Sequence, residues 1–170
     1  MSKIKKMAMG ALLIAMDIIF TRFLAVEIPA IERISLQFLA HALSGLFLGP
    51  VWAMVTVVLG DILGMLINSS SGAFFIGFTI SAALKGLLYG LFLYKGKLSY
   101  LKTLLSVAAV SLGIDLALNS LWMSVYYGKG YFAVFVAKLP IRLVYIPVAA
   151  LVIYLVGKGL KKALKYDKTK

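Results

Sequence analysis

The stretch Tyr131–Val156, YFAVFVAKLPIRLVYIPVAALVIYLV, decides the class of protein. It is almost entirely apolar and exceeds the ~20 residues that a helix needs to cross the hydrocarbon core of a bilayer. Its two charged residues, Lys138 and Arg142, are one helical turn apart and therefore share a helix face. Charge kept inside lipid is expensive and usually marks a functional site. The stretch predicts a transmembrane helix that carries a cationic functional face.

Five more apolar segments precede this one, and the whole chain has a mean hydropathy of +1.00. They cover about residues 7–26, 36–48, 51–67, 73–94 and 101–126. The second is short for a full crossing, so we expect it to be tilted, curved or partly re-entrant. Because backbone polar groups must be satisfied inside lipid, helices are the realistic option at these lengths. The sequence predicts an all-α integral membrane protein, a single domain over residues 1–170 with six transmembrane helices.

The net charge of +12 indicates orientation in a membrane rather than binding to nucleic acid. Twelve of the 18 cations lie in the two tails and in the loop between the fourth and fifth segments. An even number of crossings places all of these on one side, which the positive-inside rule assigns to the cytoplasm. We therefore expect a multi-pass protein of a bacterial cell membrane with both termini cytoplasmic and no nucleic-acid partner.

Five cations are expected on the opposite side of the membrane, against this trend. They are Arg22, Arg33, Lys129, Lys138 and Arg142. Snorkelling to lipid headgroups can explain any one of them. Lys129 lies between two glycines and is best interpreted as a loop charge, while Arg33 is expected to order the first loop. Together the cations indicate an outward-facing pocket for an anionic solute, with Arg22, Lys138 and Arg142 beside it.

Charged residues also lie well inside the segments. Asp61 and Lys85 are expected at similar depth in the third and fourth helices, so an ion pair that pins these helices is predicted. Asp17 and Asp115 are expected to pair with nearby arginines or backbone groups, and the sequence does not choose between these partners. No series of carboxylates follows one helix face, so a proton relay is not indicated.

An amide and several aromatic residues are expected near the same side. Asn119 and Trp122 are one turn apart at the outer end of the fifth segment. Asparagine offers donors and an acceptor to the edge of a heterocycle, and tryptophan offers a stacking face. Phe74, Phe75 and Phe78 follow the loop after the third segment. Aromatic residues at this level often form an interfacial belt, but their convergence with an amide and cations favours a pocket with aromatic walls.

Other classes of function find less support. The chain has no phosphate-binding loop, no cysteine, and a lone His41 without a helical partner for zinc. We therefore expect no enzyme, no cofactor and no metal site. No inverted repeat stands out, which argues against a self-contained secondary transporter. A structural subunit with a closed core is the alternative that these observations leave open.

Small residues recur at four-residue spacing, which lets helix backbones approach closely in lipid. They form the pairs Ala11/Ala15 and Gly60/Gly64 and the series Ala82, Gly86 and Gly90. These residues are expected to pack against other helices of the chain or against a partner.

Several of these motifs resemble the S components of energy-coupling factor (ECF) vitamin transporters, and within them the folate-specific branch. The resemblance covers nearly the whole chain. Its pieces are TRFL at 21–24, ERIS at 32–35, FLGP at 47–50, Gly60-Asp61, GAFFIGFTISA at 72–82 and LNSLW at 118–122. The 72–82 stretch and the Asn119/Trp122 pair are the most specific.

The resemblance implies a substrate-binding subunit that captures folate with high affinity at the extracellular side. It implies uptake powered by two cytoplasmic ATPase subunits through a transmembrane coupling (T) subunit, without covalent chemistry by this chain. The Ala11/Ala15 pair resembles the motif that S components use against the coupling subunit. An S component for another small vitamin or heterocyclic anion is the alternative.

The resemblance also implies roles for individual residues at the binding site. Asn119 would hydrogen-bond the pterin ring, and Phe74, Phe75 and Trp122 would line its pocket. The folate carboxylates need cations at the other end of the ligand. Arg22, Lys138 and Arg142 are the candidates for that end.

Overall fold

The computed structural model describes residues 3–28, 32–67 and 75–164. This part of the chain forms six helices joined by short connections, as the sequence predicts, and the all-α class is confirmed. The helices are α1 (Lys3–Arg22), α2 (Gln37–Leu48), α3 (Pro50–Ile67), α4 (Ile76–Leu93), α5 (Tyr100–Tyr127) and α6 (Tyr131–Ala163).

Four of the helices, α3 to α6, are long and apolar enough to cross a membrane. The α2 helix has 12 residues, about 18 Å, which is shorter than the hydrocarbon core of a bilayer. It is buried from Ala40 to Leu48, at the centre of the bundle. The expectation that the second segment is too short for a full crossing is confirmed.

A short antiparallel hairpin, which the sequence analysis did not predict, lies between α1 and α2. Its strands are β1 (Val26–Ile28) and β2 (Glu32–Ile34), and the backbone register places Glu27 opposite Arg33. The hairpin forms the connection between the end of α1 and the start of α2. Its tip, residues 29–31, lies outside the described residues.

The helices alternate in direction, and the bundle therefore has two ends with different chemistry. We call the end that holds Lys3, the α4–α5 loop and Ala163 the tail end. The other end, which holds Arg22, the hairpin and the α5–α6 loop, we call the pocket end. At the tail end the Lys161 ammonium donates to the Gly96 carbonyl at 3.2 Å, which ties the last turns of α6 to the α4–α5 loop.

Glycines set the helix packing near the tail end. A Cβ added at Gly45 of α2 would lie 2.5 Å from the Tyr89 carbonyl carbon of α4, and one at Gly90 would lie 2.6 Å from the Pro50 nitrogen of α3. A Cβ at Gly86 would lie 2.8 Å from the Ala53 oxygen. Such contacts are possible only without side chains. The predicted close packing through Gly86 and Gly90 is confirmed.

A single residue, Gly49, connects α2 to α3. Its φ of +88° lies in the left-handed region that favours glycine, and the Tyr94 ring lies 3.1 Å from the position of an added Cβ. Pro50 then begins α3, where its missing N–H costs no helical hydrogen bond. This turn ends the second segment where the sequence predicts.

The α5 helix changes its hydrogen-bonding pattern in the middle. Residues Ala109–Leu118 are π-helical, and α-helical residues Tyr100–Ala108 and Asn119–Tyr127 flank them. The Asn119 N–H bonds to the Ile114 carbonyl, five residues back. Wide turns of this kind occur frequently at functional sites. This one places Asp115 and Asn119 in the bundle interior.

Candidate solute-binding site

The Asp115 carboxylate is the centre of a buried polar cluster between α4, α5 and α6. The Lys85 ammonium lies 2.6 Å from Oδ1, and Arg142 Nη1 donates to Oδ2 at 3.0 Å. Asn119 Nδ2 also donates to Oδ1, at 3.1 Å. Asp115 is 6% exposed and Arg142 is 7% exposed, so the cluster is shielded from solvent. One carboxylate thus balances two cations, which leaves the cluster with a net positive charge.

This geometry corrects one prediction and decides another. The predicted Asp61–Lys85 ion pair was wrong, because Lys85 binds Asp115 on α5 instead. Similar depth in neighbouring helices did not reveal which way the Lys85 side chain points. Of the partners left open for Asp115, the structure selects Arg142. Arg142 also lies over the Tyr145 ring, with 5.0 Å between its guanidinium carbon and the ring centroid.

Lys138 lies one turn from Arg142 on the same face of α6, toward the pocket end. The residue is only 2% exposed. No direct hydrogen bond or ion pair to its ammonium group is found among the described residues, and the carboxylate that attracts it, Asp115, is already bound by Lys85 and Arg142. A buried cation without a partner is costly, and an anion that binds beside it removes that cost. Lys138 therefore has the chemistry of a receptor for an anionic group.

A second ion pair joins α1 to α3. Arg22 Nη2 lies 4.0 Å from Asp61 Oδ1, and the Thr79 hydroxyl donates to Asp61 Oδ2 at 2.8 Å. The Arg22 side chain is 4% exposed and packs on Gly64, where an added Cβ would lie 3.0 Å from Nε. Gly64 thus makes room for a charged side chain. The small residues of α3 were expected to serve backbone packing, and this one serves a cation.

Asp17 takes a partner that the sequence analysis did not consider. Its Oδ1 lies 3.2 Å from His41 Nε2, and both side chains are at most 3% exposed. A Cβ at Gly60 would lie 2.5 Å from Asp17 Oδ2. Asp17 and His41 therefore form a buried pair between α1 and α2 that α3 covers. This contact of His41 runs between helices.

Aromatic side chains form one wall at the pocket end. Phe75 contacts Trp122, Tyr126 and Phe78 in edge-to-face geometry, with ring centroids 5.6 to 5.9 Å apart. The Trp122 indole N–H donates to the Ser81 hydroxyl at 3.1 Å. A Cβ at Gly77 would lie 2.7 Å from Trp122 Cδ2, so the indole ring packs flat against the α4 backbone. The structure thus brings Phe75 and Trp122 together, one turn of α5 from Asn119.

The structure does not place three of the predicted residues, Phe74, Arg33 and Lys129, at this cluster. Phe74 lies outside the described residues, as does the loop before it. Arg33 lies on β2, and only its backbone is described. Lys129 is exposed in the α5–α6 loop, where its carbonyl accepts a hydrogen bond from Ser124 at 2.6 Å. Its interpretation as a loop charge agrees with this position.

An open groove on α5 does not coincide with these residues. It has a volume of about 370 Å³ and is lined by Gly113, Ala117, Leu118, Leu121 and Tyr131. The lining is almost entirely apolar and includes no charged group. The groove therefore lacks the chemistry to bind an anion, and the polar cluster remains the candidate site.

The Ala11/Ala15 pair lies on an exposed face of α1. The opposite face of this helix, through Gly10, Leu13, Asp17 and Thr21, is buried. The two alanines are therefore not used for packing within the chain.

The central position of Asp115 in the cluster was not predicted from the sequence. The contacts of Ser81, Tyr126 and Tyr145 were not predicted either. Asp115 and Asn119 lie four residues apart, which is a signal for side chains on one helix face. Ser81 and Tyr126 carry no comparable signal, because only the folded helices bring them to Trp122 and Phe75.

A helical membrane protein with a buried amide, an aromatic wall and an unpaired buried cation at one end belongs to the class of membrane-embedded solute-binding proteins. A family model described as "ECF-type riboflavin transporter, S component" matches residues 1–162. This chain therefore belongs to the family of S components of ECF-type transporters. Members of this family are non-enzymatic binding subunits of transporters, and the resemblance inferred from the sequence is confirmed.

Three relatives with solved or curated descriptions support this assignment. The chain is 37% identical over 154 residues to the folate transporter FolT of Clostridium novyi, which covers 91% of this chain and 88% of that protein. It is 31% identical over 148 residues to FolT of Streptococcus mutans, which covers 84% of this chain and 79% of that protein. A crystal structure of FolT bound with folic acid superposes with a TM-score of 0.85 at 33% identity, over 91% of this chain and 93% of that one.

Proposed function

We propose that this chain is the folate-binding S component of an ECF transporter in a bacterial cytoplasmic membrane, with both termini in the cytoplasm. The whole chain acts as one six-helix domain. It captures folate at the pocket end, which faces outward. Partner subunits, a transmembrane coupling subunit and two cytoplasmic ATPases, supply the energy for uptake.

The observation that carries this proposal is Lys138, a buried cation without a carboxylate of its own. In the antiparallel pair α5 and α6, Asn119 lies one turn from Asp115, and Lys138 lies one turn from Arg142, both toward the pocket end. Since Asp115 binds Arg142, Asn119 and Lys138 lie at the same level. A ligand between them would meet an amide and a cation at once, as a heterocycle with a carboxylate tail requires.

The remaining contacts suggest how folate is held. Phe75 and Trp122 offer aromatic faces to the pterin ring, with Phe74 as a further wall residue, and Asn119 offers hydrogen bonds to its edge. Lys138 and Arg22 take the two carboxylates of the glutamate end. Arg142, already bound to Asp115, adds positive potential and a further donor.

The exposed Ala11 and Ala15 fit a role in docking to the coupling subunit. Small side chains on a lipid-facing helix let a partner helix approach to backbone distance. Because the buried face of α1, through Gly10, Leu13, Asp17 and Thr21, lies on the opposite side, a partner here would not disturb the core.

A flavin-binding S component is the second candidate, because the matching family model carries a riboflavin description. Riboflavin has no carboxylate, so its binding would leave the Lys138 ammonium unpaired. Folate supplies two anionic groups near the buried cations. The charge balance of the site therefore favours folate.

Competition between the two vitamins tests the assignment. Isothermal titration of the purified chain with folic acid should give one site per chain with a Kd below about 1 μM. Riboflavin in 100-fold excess should leave that Kd unchanged. Tight binding of riboflavin, or no binding of folic acid and its reduced forms, would overturn the folate assignment.

A further inference from the structure

We propose that Asp115 is a positioning residue that fixes the orientation of the Asn119 amide and thereby selects ligands that present a hydrogen-bond donor. This inference deepens the proposed function and rests on it. Asp115 itself stays out of contact with the ligand, because its carboxylate already has three partners within the protein.

The orientation of Asn119 follows from what the Asp115 carboxylate can accept. The Lys85 ammonium and the Arg142 guanidinium, which can only donate, face the two oxygens of this carboxylate, so both oxygens act as acceptors. The Asn119 group that faces it at 3.1 Å is accordingly the NH₂. Rotation of the amide by half a turn would place the Asn119 oxygen against a carboxylate oxygen, and two acceptors would then repel each other.

The other half of the amide is left for the ligand. Asn119 Oδ1 is buried and has no hydrogen-bond partner among the described residues. An acceptor in that condition gains from any donor that reaches it. The pterin ring of folate has such a donor edge, formed by its 2-amino group and the neighbouring ring N–H. A ligand edge with acceptors alone would meet the Asn119 oxygen unfavourably.

The contact between the amide and the carboxylate is local to α5. Asp115 and Asn119 lie four residues apart, a spacing that places side chains on one face of a helix. Asp115 lies within the π-helical segment, and Asn119 follows it with its N–H bonded to the Ile114 carbonyl. The spacing brings the Asp115 carboxylate within reach of the Asn119 amide.

The test measures, for each protein, the ratio of its affinities for two ligands. The ligands are folic acid and an analogue with hydrogen in place of the 2-amino group. The wild-type protein should prefer folic acid by about 100-fold, because a site built around a hydrogen bond rejects a ligand that lacks the donor. This preference is a ratio, so a smaller fraction of folded protein lowers the measured stoichiometry and leaves the ratio unchanged.

The informative variant is Lys85→Met/Asp115→Asn, which removes one cation together with the anion and keeps the net charge of the cluster. The Arg142 guanidinium then donates to the oxygen of the side-chain amide at position 115, and the NH₂ of that amide faces Asn119. The Asn119 amide must therefore rotate. Its oxygen then accepts from position 115, and its NH₂ faces the ligand. The preference for folic acid should fall to less than about threefold.

The variant Asp61→Asn is the matched control. It makes the same Asp→Asn change at the carboxylate that binds Arg22 and Thr79 and does not touch Asn119. It should keep the 100-fold preference. An unchanged preference in Lys85→Met/Asp115→Asn would overturn the positioning role of Asp115. If the wild-type protein bound neither ligand, the folate assignment itself would be overturned, and this inference with it.

Discussion

At the tail end of the bundle α2, α3 and α4 meet through glycines, whereas at the pocket end the helices meet through charged and polar side chains. Gly45 and Gly90 bring backbones to a distance that no side chain permits. At the other end Asp115 and Asp61 each join helices through ion pairs. The first kind of contact depends on shape alone. The second kind leaves charge and hydrogen-bonding capacity that a ligand can use.

The two ends of the bundle therefore have different roles. The close-packed tail end keeps α2, α3 and α4 as a fixed unit. At the pocket end, burial of the cations is unfavourable in free energy, and an anion that binds beside them lowers this penalty. Substitutions at the two ends should therefore have different consequences, with folding affected at one and ligand binding at the other.

The largest expected effect is on folding and comes from Gly90→Ala. The added methyl group meets the Pro50 backbone, which cannot move aside as a flexible side chain can. Overpacking of this kind costs about 3 kcal/mol or more, so the melting temperature in detergent should fall by about 10 °C. The control is Gly159→Ala, since nothing lies within 4 Å of a Cβ at Gly159. Equal melting temperatures for both variants would contradict the packing at the tail end.

The next largest effect is on ligand binding and comes from Asn119→Ala. Loss of the amide leaves the ligand donor unpaired in a buried site, at about 1–3 kcal/mol. The Kd for folic acid should rise about 10- to 100-fold while the melting temperature changes little. Ser124→Ala, about one and a half turns nearer the end of α5 at an exposed hydrogen bond, should leave the Kd unchanged. A Kd within twofold of wild type for Asn119→Ala would remove the amide from the site.

A smaller loss of affinity is expected from Lys138→Met. The substitution keeps most of the side-chain volume and removes the charge, so folic acid should bind about tenfold more weakly. An analogue that keeps the pterin and ends in an uncharged benzamide should bind equally to wild type and variant, which isolates the charge interaction. Lys129→Met, in the exposed loop, should affect neither ligand. If both ligands lost affinity equally, Lys138 would have only a structural role.

The smallest effect on binding is expected from Ala15→Trp. The exposed face of α1 is far from the ligand groups, so the Kd for folic acid should stay within about twofold. Uptake by cells that also produce the coupling and ATPase subunits should fall by more than about tenfold, because the indole ring blocks close helix approach. Leu12→Trp, at another exposed position of α1, is the control and should retain uptake. A loss of folate binding in Ala15→Trp would place this face inside the fold.

Hydropathy and breakers were sufficient to predict the six helices, since apolar length and the Gly49–Pro50 turn are local properties. They did not predict the hairpin at Val26–Ile28, because its strands have only three residues each. The π-helical centre of α5 was also not predicted. Its wide turns carry no distinct hydrophobic period, and the stretch is as apolar as an ordinary helix.

The members of the candidate site could be predicted in part. Lys138, Arg142, Asn119 and Trp122 stand out, because polar residues in apolar segments are rare. Which groups pair with which could not be predicted: Lys85 was assigned to Asp61 and binds Asp115. Depth along a helix can be counted from the sequence, whereas the direction of a side chain depends on the rotation of its helix, which follows from tertiary packing.

The most direct test of the central claim, that folate binds beside Asn119 and Trp122, uses the two tryptophans of the chain. In Trp52→Phe the fluorescence reports on Trp122 alone, and in Trp122→Phe it reports on Trp52, which lies on α3 near the tail end. Folic acid should quench the Trp122 signal to saturation at one equivalent and should leave the Trp52 signal unchanged after correction for absorption. Equal quenching of both signals, or saturable quenching of Trp52 alone, would contradict the account.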